Sequence, residues 1–173
     1  VAPKVTTTSA TCGEIGKAYI EGYDSNLRYQ LVALSATGAV VESSPINTKN
    51  LSVAAGSYKV EVSNADGCVA TSTTFVIEEA KKIPALPKID FITRAACGVA
   101  NDIRIGNYNK NFSYTLISKS GVRKPVHSLH IEATEGAYQL EVSNGDCAVT
   151  TSEFHIGKEK VLPAKPELRV LPA

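Results

Sequence analysis

Apolar and polar residues alternate along two stretches of the chain that share one pattern. Each stretch has a glycine, an alternating segment led by tyrosine, a polar turn and a cysteine, and the stretches span residues 56–68 and 136–147. Tyr58, Val60 and Val62 occupy alternate positions, which places them on one face of a β-strand. The turn that follows is rich in Asn, Asp and Gly, which tolerate the positive φ of a hairpin. Each stretch therefore predicts a penultimate strand that turns into a last strand.

The remainder of the chain predicts short strands and almost no helix, because no window sustains a 3.6-residue period. Frequent turn signals between short alternating segments are typical of a small β-sandwich. We therefore predict an all-β protein of tandem immunoglobulin-like or fibronectin-III-like repeats, each of about 80 residues. In the first half the strands are expected near residues 2–10, 17–21, 27–33, 51–53, 56–63 and 68–77, with a short edge strand at Val40 and Val41.

The second half of the sequence repeats the first half in the same order. Cys12-Gly13 recurs as Cys97-Gly98, and the Gly-x-Tyr motif of residues 56–58 recurs at 136–138. The prolines at 84 and 87 recur once more at 163 and 166. Recurrence of this kind predicts a repeat array. The predicted domains are residues 1–83, residues 84–162, and a linker with the first strand of a third repeat at 163–173.

Composition narrows the classes of partner. Eighteen basic and 17 acidic residues give a net charge of +1, so neither nucleic acid nor an anionic membrane surface is an expected partner. No run approaches the ~20 apolar residues of a membrane-spanning helix, so direct membrane insertion is not expected. Because the sequence opens on Val-Ala-Pro and contains no Met, we expect a chain that was processed or cut from a longer one.

The four cysteines predict disulfides. None has the Cys-x-x-Cys spacing of a zinc site, and an extracellular, oxidising setting suits two cysteines per repeat; four buried free thiols are the alternative. One pairing stays within each repeat, as Cys12–Cys68 and Cys97–Cys147. The other follows from topology, which puts the first turn and the last hairpin at opposite ends of a sandwich. It joins Cys12 to Cys147 and leaves Cys68 and Cys97 for repeats outside this sequence.

No catalytic set recurs in the two halves, so we expect neither enzymatic activity nor a cofactor. His127, His130 and His155 all lie in the second half, and we interpret them as solvated polar residues rather than metal ligands. Asp66 and Asp146 suit the hairpin turns in which they occur. Together with Asp24 and Asp102 they could bind calcium at the junctions between domains, an alternative that stays open because such a site needs several oxygen ligands that converge.

The aromatic residues bear on sugar binding. The chain has seven tyrosines and no tryptophan, and six of the tyrosines form repeat pairs. Tyr58 and Tyr138 suit a tyrosine corner, in which the hydroxyl bonds to nearby backbone. Tyr23 and Tyr108, together with Tyr19, are the residues that a sugar platform would display. A carbohydrate-binding module is therefore the first alternative function.

The motifs Cys12-Gly13, Gly56-x-Tyr58 and Asp66-Gly67-Cys68, with their second-half partners at Gly136, Tyr138 and Cys147, resemble the immunoglobulin-like repeats of SprB-type surface adhesins of gliding bacteria. The resemblance covers nearly the whole chain. It departs in the second half, where the hairpin turn is one residue shorter and the opening motif lacks its second glycine.

The resemblance implies a non-catalytic extracellular stalk or filament segment, exported by type IX secretion, that displays adhesive parts and transmits force in adhesion or gliding motility. Implied partners are neighbouring repeats of the same chain and surface polysaccharide or other cell-surface proteins. A pilus-like subunit that assembles by strand addition is a further alternative. The place of the segment 163–173 distinguishes the array from the pilus.

Overall fold

The chain folds as two compact units in a computed structural model that describes residues 1–167. The first unit comprises Val1–Lys82 and the second begins at Ile83. Strands are the only regular secondary structure within residues 1–167, as the all-β prediction expected. This described part contains no helix that is long and apolar enough to span a membrane. Of the segment predicted to open a third repeat, residues 168–173 lie outside the described residues.

Unit 1 is a sandwich of two antiparallel sheets. One sheet has the order β1-β2-β5, and the other has the order β4-β3-β6, with β7 and β8 both paired to the outer side of β6. This is the strand arrangement of a fibronectin-III-like or immunoglobulin-like sandwich. Its strands are β1 (Lys4–Thr8), β2 (Lys17–Glu21), β3 (Arg28–Leu34), β4 (Val40–Ile46), β5 (Asn50–Leu51), β6 (Gly56–Ser63), β7 (Val69–Thr71) and β8 (Phe75–Ile77).

Unit 2 repeats the arrangement with a reduced first sheet. β9 pairs with β10 alone, and a single bridge between Arg104 and His130 stands where unit 1 has β5. The second sheet keeps the order β12-β11-β13, with β14 and β15 on β13. Its described strands are β9 (Ile89–Thr93), β10 (Asp102–Ile105), β11 (Ser113–Ser118), β12 (Arg123–Val126), β13 (Gly136–Ser143), β14 (Ala148–Thr150) and β15 (Phe154–Ile156).

The alternating face predicted for the penultimate strand forms the centre of each core. In unit 1, Val60 has no exposed surface, and Tyr58 and Val62 on either side of it are each 9% exposed. Residues of both sheets complete the cluster, which therefore lies between the sheets. In unit 2, Leu140 takes the place of Val60 and is also fully buried. Full burial of one such aliphatic side chain stabilises a fold by about 1.5–3 kcal/mol.

The predicted single last strand at 68–77 is wrong, because it is two short strands separated by the three residues 72–74. Ser72 is buried and its Oγ accepts a hydrogen bond from the Val60 amide at 2.9 Å, in the place of a strand carbonyl. Thr151 does the same for the Leu140 amide, also at 2.9 Å. The hydroxyl satisfies a buried amide that would otherwise lack a partner. The chain can therefore leave the ladder and rejoin it farther along.

The predicted edge strand is longer than the pattern indicated. It was expected at Val40 and Val41, whereas β4 continues to Ile46 although all its other residues are exposed. An edge strand of this kind has no continuous apolar face. The sequence pattern therefore indicates only its first two residues, Val40 and Val41. The first strand is in turn shorter than expected, because β1 begins at Lys4 and ends at Thr8.

Candidate functional site

Unit 1 opens with a tight turn that carries its first cysteine. The backbone groups of Thr11 and Glu14 form two hydrogen bonds with each other, and the turn is tied to Lys81 by a parallel bridge from Cys12. Gly13 donates its amide to the Lys81 carbonyl at 3.0 Å and has a φ of 79°. Glycine adopts that left-handed conformation without a steric penalty. The turn therefore holds Cys12 beside the segment that leaves the sandwich after β8.

Unit 2 builds the same turn from different neighbours. Ala96 and Val99 exchange the backbone hydrogen bonds, and Cys97 forms the parallel bridge to Lys160. Gly98 donates to the Lys160 carbonyl at 2.8 Å with a φ of 68°. Cys97 thus occupies the place in unit 2 that Cys12 occupies in unit 1.

The second cysteine of each repeat follows a hairpin turn that is held by asparagine. The Asn64 side-chain oxygen accepts the amide of Cys68 at 2.9 Å, and the Asn144 side-chain oxygen accepts the amide of Cys147 at 2.8 Å. The turn in unit 2 is one residue shorter, yet the same cap is retained. Asparagine suits this place because its short side chain bonds readily to backbone a few residues on.

The cysteines differ in their covalent state. Cys12 and Cys147 are disulfide-bonded, whereas Cys68 and Cys97 are exposed free thiols. Each repeat thus contributes one bonded and one free cysteine, and the bonded residues occupy different places in the two folds. Neither pairing within a repeat is present, since each would require a residue that is a thiol here.

Distance explains why no bridge forms within a repeat. Strand β6 pairs with Ile77 at its Gly56 end, and the chain continues past that end to the turn that holds Cys12. The other end of β6, at Ser63, leads through the hairpin to Cys68. The eight residues of β6 make seven steps of about 3.3 Å, which separate these ends by roughly 23 Å. A disulfide needs Cα atoms within about 7 Å.

The tyrosine corner predicted from the Gly-x-Tyr motif is formed in unit 1. The Tyr58 hydroxyl donates to the carbonyl of Ala54 at 2.9 Å. In unit 2 the hydroxyl of Tyr138 instead meets the side chain of Thr134 at 3.3 Å. The glycines that precede these tyrosines, Gly56 and Gly136, have φ values of 157° and 151°, with the tyrosine ring packed against them.

Two further tyrosines, Tyr23 and Tyr108, have a packing role that the sequence did not reveal. Tyr23 stacks on the buried Tyr29 with ring centroids 4.7 Å apart, and Tyr108 stacks on Tyr114 at 5.1 Å. The inner hydroxyl of each pair accepts a backbone amide from the preceding loop, at 3.1 and 2.9 Å. Tyr23 and Tyr108 are therefore half-buried packing residues rather than displayed platforms. Tyr19, at 41% exposed, is the displayed member of the predicted set.

The histidines of unit 2 do not converge on one point. His130 contacts the carboxylate of Asp102 at 3.2 Å, and His127 and His130 both line a shallow groove of about 280 Å³. His155 lies 3.4 Å from Glu153 instead. Among residues 1–167 no group of three potential metal-ligating side chains has the proximity that a metal ion needs. Arg104 also binds Asp102, at 3.1 Å, which makes this cluster a surface ion-pair network.

The acidic residues weighed for calcium are bound to local backbone and side chains. Asp24 accepts the amide of Asn26 at 2.9 Å, which closes the loop before β3. Asp66 accepts a long hydrogen bond of 3.4 Å from the Asn64 side-chain amide. These contacts are those of turn-forming aspartates.

One ion pair perturbs the titration of its members. Lys4 on β1 lies 2.8 Å from Glu21 on β2, and Thr6 donates to the same carboxylate. The hydrogen bond from Lys4, and then that from Thr6, hold the pKa of Glu21 below its ordinary value. The same bond to Glu21 raises the pKa of Lys4. Both side chains are exposed, so the pair adds little to stability.

Comparison with known proteins gives matches among solved structures and none among sequences. No protein-family description matches the sequence, and no curated protein sequence matches it. Solved structures do resemble it. The human OSCAR ligand-binding domain is 13% identical with a TM-score of 0.34, and 90% of this chain aligns with 98% of that one. The FN1-FN3 domains of chicken CNTN1 are 15% identical with a TM-score of 0.39, over 92% of this chain and 68% of that one.

A third similar structure is the BSP domain of a biofilm associated protein, at 13% identity and a TM-score of 0.29. It aligns with 94% of this chain, which spans 30% of its length. The comparisons concern the fold alone.

Proposed function

We propose that this chain is a non-catalytic segment of an extracellular stalk, which holds the adhesive parts of a surface protein away from the cell and transmits force to them. The observation that carries the proposal is the use of polar groups in both repeats. Hydroxyls and asparagine amides bond to backbone at equivalent places in units 1 and 2, and the bonded cysteines lie at the ends of the repeats. These polar side chains and bonded cysteines therefore stabilise the fold.

The ends of each repeat are arranged to resist tension. The opening turn and the segment after the last strand run parallel, and Lys81 both donates to Thr11 and accepts from Gly13. Lys160 repeats the donated bond with Ala96 and the accepted bond with Gly98. Because parallel segments pulled from opposite ends slide along each other, their hydrogen bonds are loaded together rather than one at a time. Such a clamp suits a force-transmitting segment.

The disulfide supports an extracellular location, since such bonds persist in oxidising compartments. We further propose that the opening-turn Cys12 is joined to the hairpin Cys147 of the following repeat. Such a bond would close residues 12–147 into one covalent loop, so tension applied to the chain ends would pass through the sulfur atoms. The export route, gliding motility and a surface polysaccharide partner belong to the same proposal and rest on the resemblance described above.

Edge strands weigh against the alternative of assembly by strand addition. Pro45 lies within β4 and Pro125 within β12, and both are the outermost strands of their sheets. Proline lacks the amide that a pairing strand requires, and it protects natural sheet edges. The opposite edge is interrupted in both units where Ser72 and Thr151 leave the ladder.

Single-molecule pulling on the chain ends tests the proposal. Under non-reducing conditions we expect residues 12–147 to stay locked. With a reductant the chain should lengthen by on the order of 450 Å, in two distinct unfolding events, at about 3.3–3.6 Å per residue. The variant Cys12→Ser is the matched control and should give the long extension without reductant. Repeats that extend without a distinct unfolding event would contradict a force-bearing role.

A further inference from the structure

We infer that the free thiols of Cys68 and Cys97 link this chain to other modules in a fixed direction. Each thiol forms a disulfide with a different module of this fold. Cys68 takes the opening-turn cysteine of one such module, and Cys97 takes the hairpin cysteine of another. This inference rests on the proposed function, because it treats the chain as one segment of an array. It identifies the partner as a further copy of the same fold.

The internal repeat supplies the first observation. Cys68 occupies the hairpin place that Cys147 occupies in unit 2, and Cys147 is disulfide-bonded and only 3% exposed. Cys97 occupies the opening-turn place of Cys12, which is disulfide-bonded as well. Both places are therefore seen in this chain in their bonded form. The free and bonded cases share the groups that hold the cysteine: the asparagine cap at the hairpin, although that turn is one residue shorter in unit 2, and the positive-φ glycine at the opening turn.

Exposed apolar side chains beside each thiol supply an independent observation. Near Cys97, Leu162 packs over Gly98, where an added Cβ would lie 2.9 Å from it, and Leu162 is still 62% exposed. Val161 and Val99 are 90% and 40% exposed. Apolar surface of this kind, concentrated at one end of a small domain, marks an interaction site.

The end that carries Cys68 has a groove with both apolar and polar walls. Val69, Leu27 and Val62 line it beside Cys68, and Ser63 and Asn64 add polar atoms, over a volume of about 290 Å³. Val69 is 62% exposed. A module that docks its own opening turn here would cover the groove and bring a cysteine to the thiol.

The two thiols lie at ends of different kind, which gives the coupling a direction. Hairpin and opening turn are separated by the length of the strand between them, roughly 23 Å. Neither can therefore close on the other within its own repeat. An interface between unlike ends is heterologous and propagates as an open filament. The expected product is a linear chain of modules.

Bond formation needs an oxidant, and a small-molecule disulfide is sufficient. The thiolate of Cys97 attacks that disulfide, forms a mixed disulfide and releases one small thiol. The partner thiolate then attacks the Cys97 sulfur and releases the second small thiol. Two protein thiols lose two protons and two electrons, and one small disulfide becomes two thiols.

The test mixes two single variants of the full chain. Cys68→Ser retains the Cys97 thiol, and Cys97→Ser retains the Cys68 thiol. Equal amounts, one isotope-labelled, are incubated in a glutathione redox buffer and mapped by mass spectrometry without reduction. We expect the Cys97–Cys68 bond to exceed either symmetric bond about tenfold, which is about five times the random ratio and corresponds to a preference of about 1 kcal/mol. Random collision gives a twofold excess, and that result, or the absence of cross-links, would overturn the inference.

A tandem protein identifies the source of the partner module. Residues 1–165 are followed by residues 3–173 of a second copy, so that the second Pro3 takes the place of Pro166. A bond within one dilute molecule between the first Cys97 and the second Cys68 identifies the adjoining repeat as the partner. The same bond between separate molecules identifies a second chain. Pulling on the double variant C68S/C97S still reports on the stalk, because neither substitution touches Cys12 or Cys147, so the two proposals fail separately.

Discussion

The two repeats make the same connection before their second strand with different residues. In unit 1 the amide of Gly16 donates to the carbonyl of Glu78 at 3.0 Å, and the Glu78 carboxylate accepts the amide of Ala10 at 2.9 Å. A backbone amide and an acidic side chain thus join the opening segment to the end of β8. The glycine is required by space, since a Cβ there would lie 2.7 Å from the carbonyl oxygen of Thr8.

Unit 2 has no glycine at this place and uses one side chain for both bonds. The amide group of Asn101 donates to the Gly157 carbonyl at 2.6 Å, and its oxygen accepts the amide of Ala95 at 3.0 Å. The ladder between β9 and β10 shifts register between Asp102 and Ile103. The irregularity follows directly after Asn101, whereas the ladder between β1 and β2 in unit 1 is regular. The missing glycine, a departure from the repeat pattern, is therefore a substitution of one device for another.

A carboxylate has moved between strands in a similar way. Unit 1 carries it on β2 as Glu21, whereas unit 2 has Gly106 just after β10 and carries Asp90 on β9. A Cβ at Gly106 would collide with an Asp90 carboxylate oxygen, so that oxygen fills the space which a side chain would need. Lys4 and Lys88 contact these carboxylates at 2.8 and 3.7 Å. The fold specifies the contact between lysine and carboxylate, and either strand can supply the acid.

Exchange of the connecting residues is the strongest test of this comparison. Gly16→Asn puts the unit 2 residue into unit 1, where the Thr8 carbonyl blocks its Cβ. We expect unit 1 to lose about 1–3 kcal/mol of stability, the usual cost of overpacking. Hydrogen-exchange mass spectrometry, which resolves the strands of each unit, measures the loss. The reciprocal Asn101→Gly removes two hydrogen bonds and should cost unit 2 about 0.5–1.5 kcal/mol for each.

Each variant is the other's control, because its unaltered repeat should keep its exchange rates. A unit 1 that accepts asparagine without loss would show that the glycine is not required by space. The difference between Gly16 and Asn101 would then be a neutral replacement without structural cause.

The tyrosine corners give a smaller difference. Tyr58→Phe removes a hydrogen bond to a backbone carbonyl at 2.9 Å and should cost about 0.5–1.5 kcal/mol. Tyr138→Phe removes a longer contact of 3.3 Å to an exposed hydroxyl, which water replaces readily. We expect urea midpoints to fall more for Tyr58→Phe than for Tyr138→Phe. The reverse order would show that the threonine contact is the stronger one.

Much of this architecture is readable in the sequence, because it rests on local alternation. Tyr58, Val60 and Val62 predicted the inner face of β6, and all three are buried. The sequence did not reveal that the last strand is split, because Ser72 is one of several polar residues in a row and nothing local distinguishes it. The available signal was its pairing with Thr151, a hydroxyl at the equivalent place in the other repeat. A long-range bond of that kind has no periodicity to reveal it.

The cysteines show the same limit: local patterns predict where they lie in each repeat but do not predict what they bond to. Topology predicted that Cys12 and Cys68 lie too far apart to pair, and the length of β6 supports this. The covalent state of each cysteine depends on what meets it at the end of the repeat, which no pattern within the repeat encodes. The packing roles of Tyr23 and Tyr108 were likewise missed, because stacking on the next tyrosine brings together residues of different strands and loops.

The ion pair between Lys4 and Glu21 gives the smallest expected effect and one that depends on pH. The pKa of Glu21 is lowered in the folded state by its hydrogen bonds to Lys4 and Thr6. Between the folded and unfolded pKa values the unfolded chain binds more protons, so the contribution is complete above the ordinary glutamate pKa and is lost as the pH falls through the folded one. Glu21→Gln should therefore lower the urea midpoint of unit 1 slightly at about pH 7, and by less at about pH 3, which lies below the ordinary glutamate pKa. Methyl NMR signals of the buried residues Ile20 and Ile105 report the two units separately, and the midpoint measured at Ile105 should not change with the substitution at either pH. A difference that is undiminished in acid would assign the role of Glu21 to packing rather than to charge.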